Sequence, residues 1–276
     1  IVHYSGASQW CIAVVHDSLL THTYSLRSWV GLESNPAVMT RYAQRLGVGA
    51  SWAFSDCVGL EEEALRSVPQ PCVGCIFLYP FRQVEARRRA LGAWRGGEVE
   101  GVWHMRQMVS NACGAVAIVH LVMNTLGRVS VPAAGSGETA RDGGETARDE
   151  GGEMARGGAA AVQGAGSEAP EMLRDFGRAM QGDSAHERGR RLAPALRQVH
   201  AELAGQGQTS APRSSAVLAF HFISLVEVHG RLYELDGNND GPLDCGGVGD
   251  GGFLTAAVRH VKESYIAPFP DGHFSL

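Results

Sequence analysis

No stretch of this chain reaches the eighteen or so consecutive apolar residues that a membrane-crossing helix needs, so nothing in it reads as such a span. Basic charge is not in excess either. Twenty-four Lys and Arg stand against 29 Asp and Glu, and the formal charge of −5 argues against nucleic acid while leaving room for a basic partner. Six cysteines in 276 residues, with no even framework of spacings, do not make a disulfide scaffold and fit reduced thiols in the cytosol or nucleus. Residues 1–28 lack the basic leader of a secretory signal. Their histidines, His3, His16 and His22, lack the i, i+4 pairing that would suggest a metal.

Two short motifs are present without the surroundings that would give them meaning. Cys72-Val-Gly-Cys75 has no second ligand pair at zinc spacing, and it runs into a strand where a redox motif would open a helix. Gly247-Val-Gly-Asp-Gly-Gly252 satisfies the dinucleotide fingerprint in letters, but it follows a loop and lacks the rest of a βαβ unit. Both are read as structural.

The informative stretch is Gln107–Asn124. Ser110-Asn111 leads into a run apolar on every side, which predicts a helix beginning at Cys113 and buried at the centre of a domain. A cysteine in the first turn of such a helix meets unpaired backbone N–H groups and the positive end of the helix dipole, and both favour a thiolate. Taken alone, Cys113 could equally be one more buried cysteine. His120 lies two turns further along, too far to serve it, and is expected to be a core residue.

A partner for that thiol is offered by residues 220–237. They read as two strands joined at His229-Gly230, a pair suited to a two-residue type I′ turn. That turn sets Val228 opposite Arg231, Val226 opposite Tyr233 and Ile223 opposite Asp236. His221 and Asp236 then share a face, one diagonal step apart. An aspartate so placed can hold an imidazole in one tautomer and leave its other nitrogen for a thiol.

These segments resemble the ubiquitin C-terminal hydrolase family, cysteine deubiquitinases with a papain-like arrangement. The family's Gln six residues before an Asn-x-Cys-Gly helix start is matched by Gln107, Asn111, Cys113 and Gly114. Its His-Phe, followed fifteen residues later by the Asp of Leu-Tyr-Glu-Leu-Asp-Gly, is matched by His221 and Asp236. The resemblance implies Cys113 as nucleophile, His221 as general base and then acid, and Asp236 as the residue that orients it. It implies Gln107 as an oxyanion donor beside the Cys113 backbone N–H. It further implies an α/β fold with a mostly antiparallel central sheet, helices on both sides and a crossover loop over the active site. No metal or cofactor is implied. Ubiquitin is the expected partner of a monomeric enzyme releasing small adducts or short peptides. A preference for NEDD8 or another ubiquitin-like modifier is one alternative, and an inactive ubiquitin-binding homologue is another.

The rest of the chain is arranged around this. Residues 1–28 form an extension of unknown role. From Trp29 the sequence resembles the family's opening, with Gly31 where Pro is usual. Asn35 and Pro36 start a helix that Gly47 ends, Trp52–Cys57 reads as a strand and Glu61–Arg66 as a short helix. Val73–Tyr79 is an unbroken apolar run, as expected of a central strand covered on both faces. Residues 82–101 read as a solvated helix and loop. In 132–170 an imperfect Gly-Glu-Thr-Ala-Arg repeat has nothing to bury, which predicts a disordered insertion into a single catalytic domain spanning 29–276. Two helical patterns follow in Glu171–His200. The small polar residues 200–212 resemble the crossover loop, a filter that would pass a thin chain and stop a folded adduct. Phe253–Tyr265 reads as a closing helix, and His273–Leu276 resembles the start of a final core strand, cut short.

Overall fold

The computed structural model describes residues 28–82, 84–85, 96–129, 169–207, 219–270 and 273–276, with the backbone alone for 169–172. All but the last residue of the expected extension, nearly all of the expected insertion and the second half of the expected crossover loop lie outside these residues.

Helix α1, Pro36–Arg45, starts where the sequence says it should. The Asn35 side chain accepts from the N–H groups of Ala37 at 3.0 Å and Val38 at 3.3 Å, which satisfies two of the first turn's orphan donors. Glu62–Arg66 forms the short α2. Residues 51–60 form no strand, against the reading of Trp52–Cys57. Their backbone groups go elsewhere: Phe54 N–H donates to the Thr40 hydroxyl and Cys57 N–H to the Leu276 carbonyl, so no continuous ladder is built.

Four strands make one antiparallel sheet in the order β1 (Gly74–Pro80), β2 (Phe220–Val228), β3 (Arg231–Leu235) and β4 (Leu243–Gly247). In that order β1 is terminal, not central as its apolar run suggested. Its composition reflects cover on both faces: Ile76 packs with the large helices on one side, while Phe77 and Tyr79 pack with the C-terminal helix on the other. Ser275 bridges to Leu78 through bonds of 2.7 and 3.0 Å, so the last residues do line β1. The β2–β3 hairpin has the expected register, with Val228 opposite Arg231, Val226 opposite Tyr233 and Ser224 opposite Leu235. His229 and Gly230 both have positive φ, 50° and 75°, as a type I′ turn requires.

Helix α3, Cys113–Val129, is buried from Cys113 to Val122 without a break, which explains why it shows no polar stripe. It lies on one face of the sheet with α1 and with α5 (Ala185–Leu203). The shorter α4 is Ala169–Ala179, so the last two residues assigned to the insertion are helical. α5 opens with a capping box between Ser184 and Glu187. It runs through His200 to Leu203, and the polar stretch read as a loop therefore begins inside a helix. On the other face, α6 (Gly252–Val261) and a π-turn over Lys262–Ile266 cover Phe77, Ile223, Leu225 and Leu232.

Candidate active site

Cys113 is the first residue of α3, and the chain around it is held by three local devices. Asn111 takes a left-handed φ of 63°, which asparagine tolerates well, and its amide donates to the Ser28 hydroxyl and the Trp29 carbonyl. Trp29 N–H returns a bond to the Ser110 carbonyl at 3.0 Å. Gly114 then lets the helix close on its neighbours. A Cβ there would stand 3.0 Å from Leu32 Cβ and 3.3 Å from the Phe222 ring, so those neighbours would have to give way.

The hairpin delivers the remaining groups. His221 lies on β2, Asp236 follows β3, and His221 Nε2 meets Asp236 Oδ1 at 2.7 Å. That contact occupies Nε2 and leaves Nδ1 for a second partner, and the Cys113 thiol lies near enough for each side chain to shift the other's pKa. All three are buried, with 5%, 5% and 1% of their surfaces exposed. Burial penalises the thiolate and pushes the Cys113 thiol up. The His221 hydrogen bond and charge, together with the Phe222 and Gly114 backbone, outweigh it and hold the thiol below its ordinary value. Burial likewise pushes the His221 imidazolium down, but the Asp236 charge and hydrogen bond, followed by Cys113, bring it up to about 10. The two shifts, thiol down and imidazole up, both favour a thiolate beside an imidazolium.

Gln107 joins this group from the backbone outwards. Its N–H donates to the Gly237 carbonyl at 2.8 Å, which fixes it next to Asp236. Gly237 has no room for a side chain here, since a Cβ would come within 2.9 Å of both Gln107 Cβ and Val116. The Gln107 amide donates to the Val109 carbonyl at 3.0 Å through one of its two N–H bonds, while its Oε1 is buried without a hydrogen-bond partner. The amide is thus oriented with a second N–H to offer.

Four residues that sequence reading passed over complete the cluster. Tyr79 lies opposite His221 in the β1–β2 ladder, sets its ring edge-on to the imidazole at 5.6 Å and reaches Asp236 Oδ2 through a long 3.5 Å contact. Phe81 packs on the imidazole at 5.0 Å. Asn238 N–H donates to Asp236 Oδ1 at 2.8 Å, and His104 Nε2 lies 2.9 Å from the Asp236 carbonyl. Of these only Asn238 had a signal. Asp-Gly-Asn is the pattern of an aspartate accepting from the N–H two residues on. His120 is fully buried against Met105, and burial pushes it down to about 3, as suits a neutral core ring. A cavity of about 450 Å³ bounded by Met39, Cys57, Cys72 and Leu276 contains none of these residues.

Known proteins give an independent comparison. The family model described as ubiquitin carboxyl-terminal hydrolase, family 1, matches residues 29–139 and 160–267. A ubiquitin carboxyl-terminal hydrolase of Drosophila melanogaster is 32% identical over 243 residues, covering 86% of this chain and 90% of the relative. The human ubiquitin carboxyl-terminal hydrolase isozyme L1 is 27% identical over 237 residues, covering 84% and 89%. Among solved structures, the Trichinella spiralis UCH37 catalytic domain bound to ubiquitin vinyl methyl ester superposes with a TM-score of 0.58. That match covers 90% of this chain and 94% of the other at 20% identity, a likeness of fold alone.

Proposed function

This chain belongs to family 1 of the ubiquitin carboxyl-terminal hydrolases, a family of cysteine hydrolases, and from that premise we propose that Cys113 cleaves amides and esters at the C-terminal glycine of ubiquitin. The observation that supports this most is one buried imidazole held at 2.7 Å by the Asp236 carboxylate and interacting with the Cys113 thiol.

The Cys113 thiolate attacks the glycine carbonyl, and the developing oxyanion is received by the Gln107 amide and the Cys113 backbone N–H. His221 gives its proton to the departing amine or alcohol, leaving an acyl-enzyme. It then takes a proton from the attacking water, the thiolate leaves, and the released ubiquitin carboxyl group gives its remaining proton to solvent. Asp236 keeps the ring aligned throughout and stabilises its charge. Residues 29–276 act as one catalytic domain in this reading. The adducts it suits are small groups or short peptides, and the need for a free thiol suits the cytosol or nucleus.

The test is release of a fluorophore from a ubiquitin C-terminal amide, compared between wild type and Cys113→Ala. Equal rates overturn the proposal. A parallel NEDD8 amide reports which modifier is preferred. Ubiquitin binding without release identifies an inactive binder.

A further inference from the structure

We propose that Glu234, Cys245 and His260 form a binding site for a single transition-metal ion of zinc's class, separate from the catalytic group. The three residues come from different elements: Glu234 from β3, Cys245 from β4 and His260 from α6. Their donor atoms all lie within 4.8 Å of one another. His260 Nε2 stands 2.8 Å from Glu234 Oε2 and 3.6 Å from Cys245 Sγ.

Those distances suit tetrahedral coordination. Bonds of about 2.3 Å to sulfur and about 2.0–2.1 Å to nitrogen and oxygen put adjacent N and S donors about 3.5 Å apart and adjacent N and O donors about 3.4 Å apart. The sulfur–nitrogen spacing is already met, and the carboxylate needs to withdraw by only about half an ångström. Thiolate, imidazole and carboxylate together favour zinc or cobalt over magnesium or calcium, which seek oxygen alone. Two negative ligands would balance the ion's charge, with Cys245 losing its proton to solvent on binding.

His260 and Glu234 each also carry an outer partner of the kind that aims metal donors. His260 Nδ1 meets the Ser264 hydroxyl at 3.3 Å, and the Tyr265 hydroxyl donates to Glu234 Oε2 at 2.8 Å. Glu234 is buried while Cys245 and His260 are partly exposed, so an ion can arrive from the β4 side and keep a water as its fourth ligand. The cluster is not a second nucleophile. Sulfur and carboxylate both face Nε2, so the ring cannot pass a proton from one to the other. Bound metal would instead tie β3, β4 and α6 together.

The experiment titrates Co²⁺ into the full chain carrying Cys113→Ser, which removes the catalytic thiol as a competing ligand. One equivalent is expected to bind, giving a near-ultraviolet thiolate-to-cobalt band and the intense visible bands of tetrahedral cobalt, and Zn²⁺ is expected to displace it. The thiolate band should vanish in Cys245→Ser, and the visible bands should weaken in His260→Gln. Zn²⁺ should raise Tm in the parent and not in Cys245→Ala, with far-ultraviolet circular dichroism confirming that each variant is folded. Absence of the band, or a band that survives Cys245→Ser and disappears with Cys72→Ser, overturns the proposal.

Discussion

Two cysteine–histidine–carboxylate groups meet at the end of strand β3, their carboxylates Glu234 and Asp236 two residues apart, and they are wired in opposite ways. At Asp236 the imidazole of His221 gives Nε2 to the carboxylate, which leaves its other nitrogen for the Cys113 thiol it interacts with. At Glu234 the imidazole of His260 presents one nitrogen to both partners. Hydrogen-bond lengths do not separate the two, since the histidine–carboxylate contacts are 2.7 and 2.8 Å. The difference lies in direction. Donors on opposite nitrogens make a path for a proton, and donors on the same nitrogen make a point for a cation. The same three residue types thus suit a nucleophile in one place and a ligand set in the other.

The largest expected effect separates the two cysteines. Exposure to ubiquitin vinyl methyl ester should modify the peptide containing Cys113 and not the one containing Cys245, read by mass spectrometry. Cys113→Ala should abolish the labelling entirely. Recovery of the adduct on Cys245 would erase the distinction drawn here.

The carboxylates come next. Asp236→Asn is expected to lower kcat by about 10³-fold or more, because an amide can hold the ring in the wrong tautomer. Gln107→Ala should cost about 10²- to 10³-fold, as removal of one oxyanion donor does. Glu234→Gln should be felt in stability, by about 1–3 kcal/mol in urea unfolding, since the Tyr265 hydroxyl and His260 lose a charged partner.

Dependence on pH sharpens the contrast further. His221 retains its proton to about 10, so the alkaline limb of kcat/KM should fall near that value in wild type and move down in Asp236→Asn. Its raised value also contributes stability that is complete below the ordinary histidine value of 6.5 and is lost as pH rises toward 10. His120 has the opposite sign. Pushed down to about 3 by burial and by the neighbouring His104, it resists the proton that the unfolded chain accepts. Stability should therefore fall as pH drops from 6.5 toward 3, by about 1.4 kcal/mol per pH unit from this residue. Acid titration of Tm in His120→Gln should show a shallower slope, and an unchanged slope would move the effect to another group.

The smallest effect lies at the outer partner of the second group. Tyr265→Phe should weaken cobalt binding by about 10- to 100-fold while leaving the tetrahedral spectrum recognisable.

Why sequence reading succeeded at one group and passed over the other follows from how each is encoded. A two-residue turn pins the β2–β3 register, so the positions of His221 and Asp236 could be counted from His229-Gly230, and the ladder agrees. Cys113 was legible because burial on every side of α3 left its first residue as the chemically distinct one. Tyr79 was hidden in an apolar run, and only the β1–β2 pairing brings it opposite His221. Glu234, Cys245 and His260 have no short spacing, since helix packing and not local chain geometry brings them together. The same limit explains the misplaced strand at Trp52–Cys57. An extended stretch becomes a strand only when a neighbour supplies a ladder, and these residues bond to Thr40 and Leu276 instead.

Leu235 sits between the two carboxylates and lies opposite Ser224 in the hairpin. Its amide can therefore serve as a built-in gauge, because tightening either neighbour should slow its exchange with deuterated solvent. Metal at the distal cluster would then register one peptide unit away from Asp236, with no ubiquitin present.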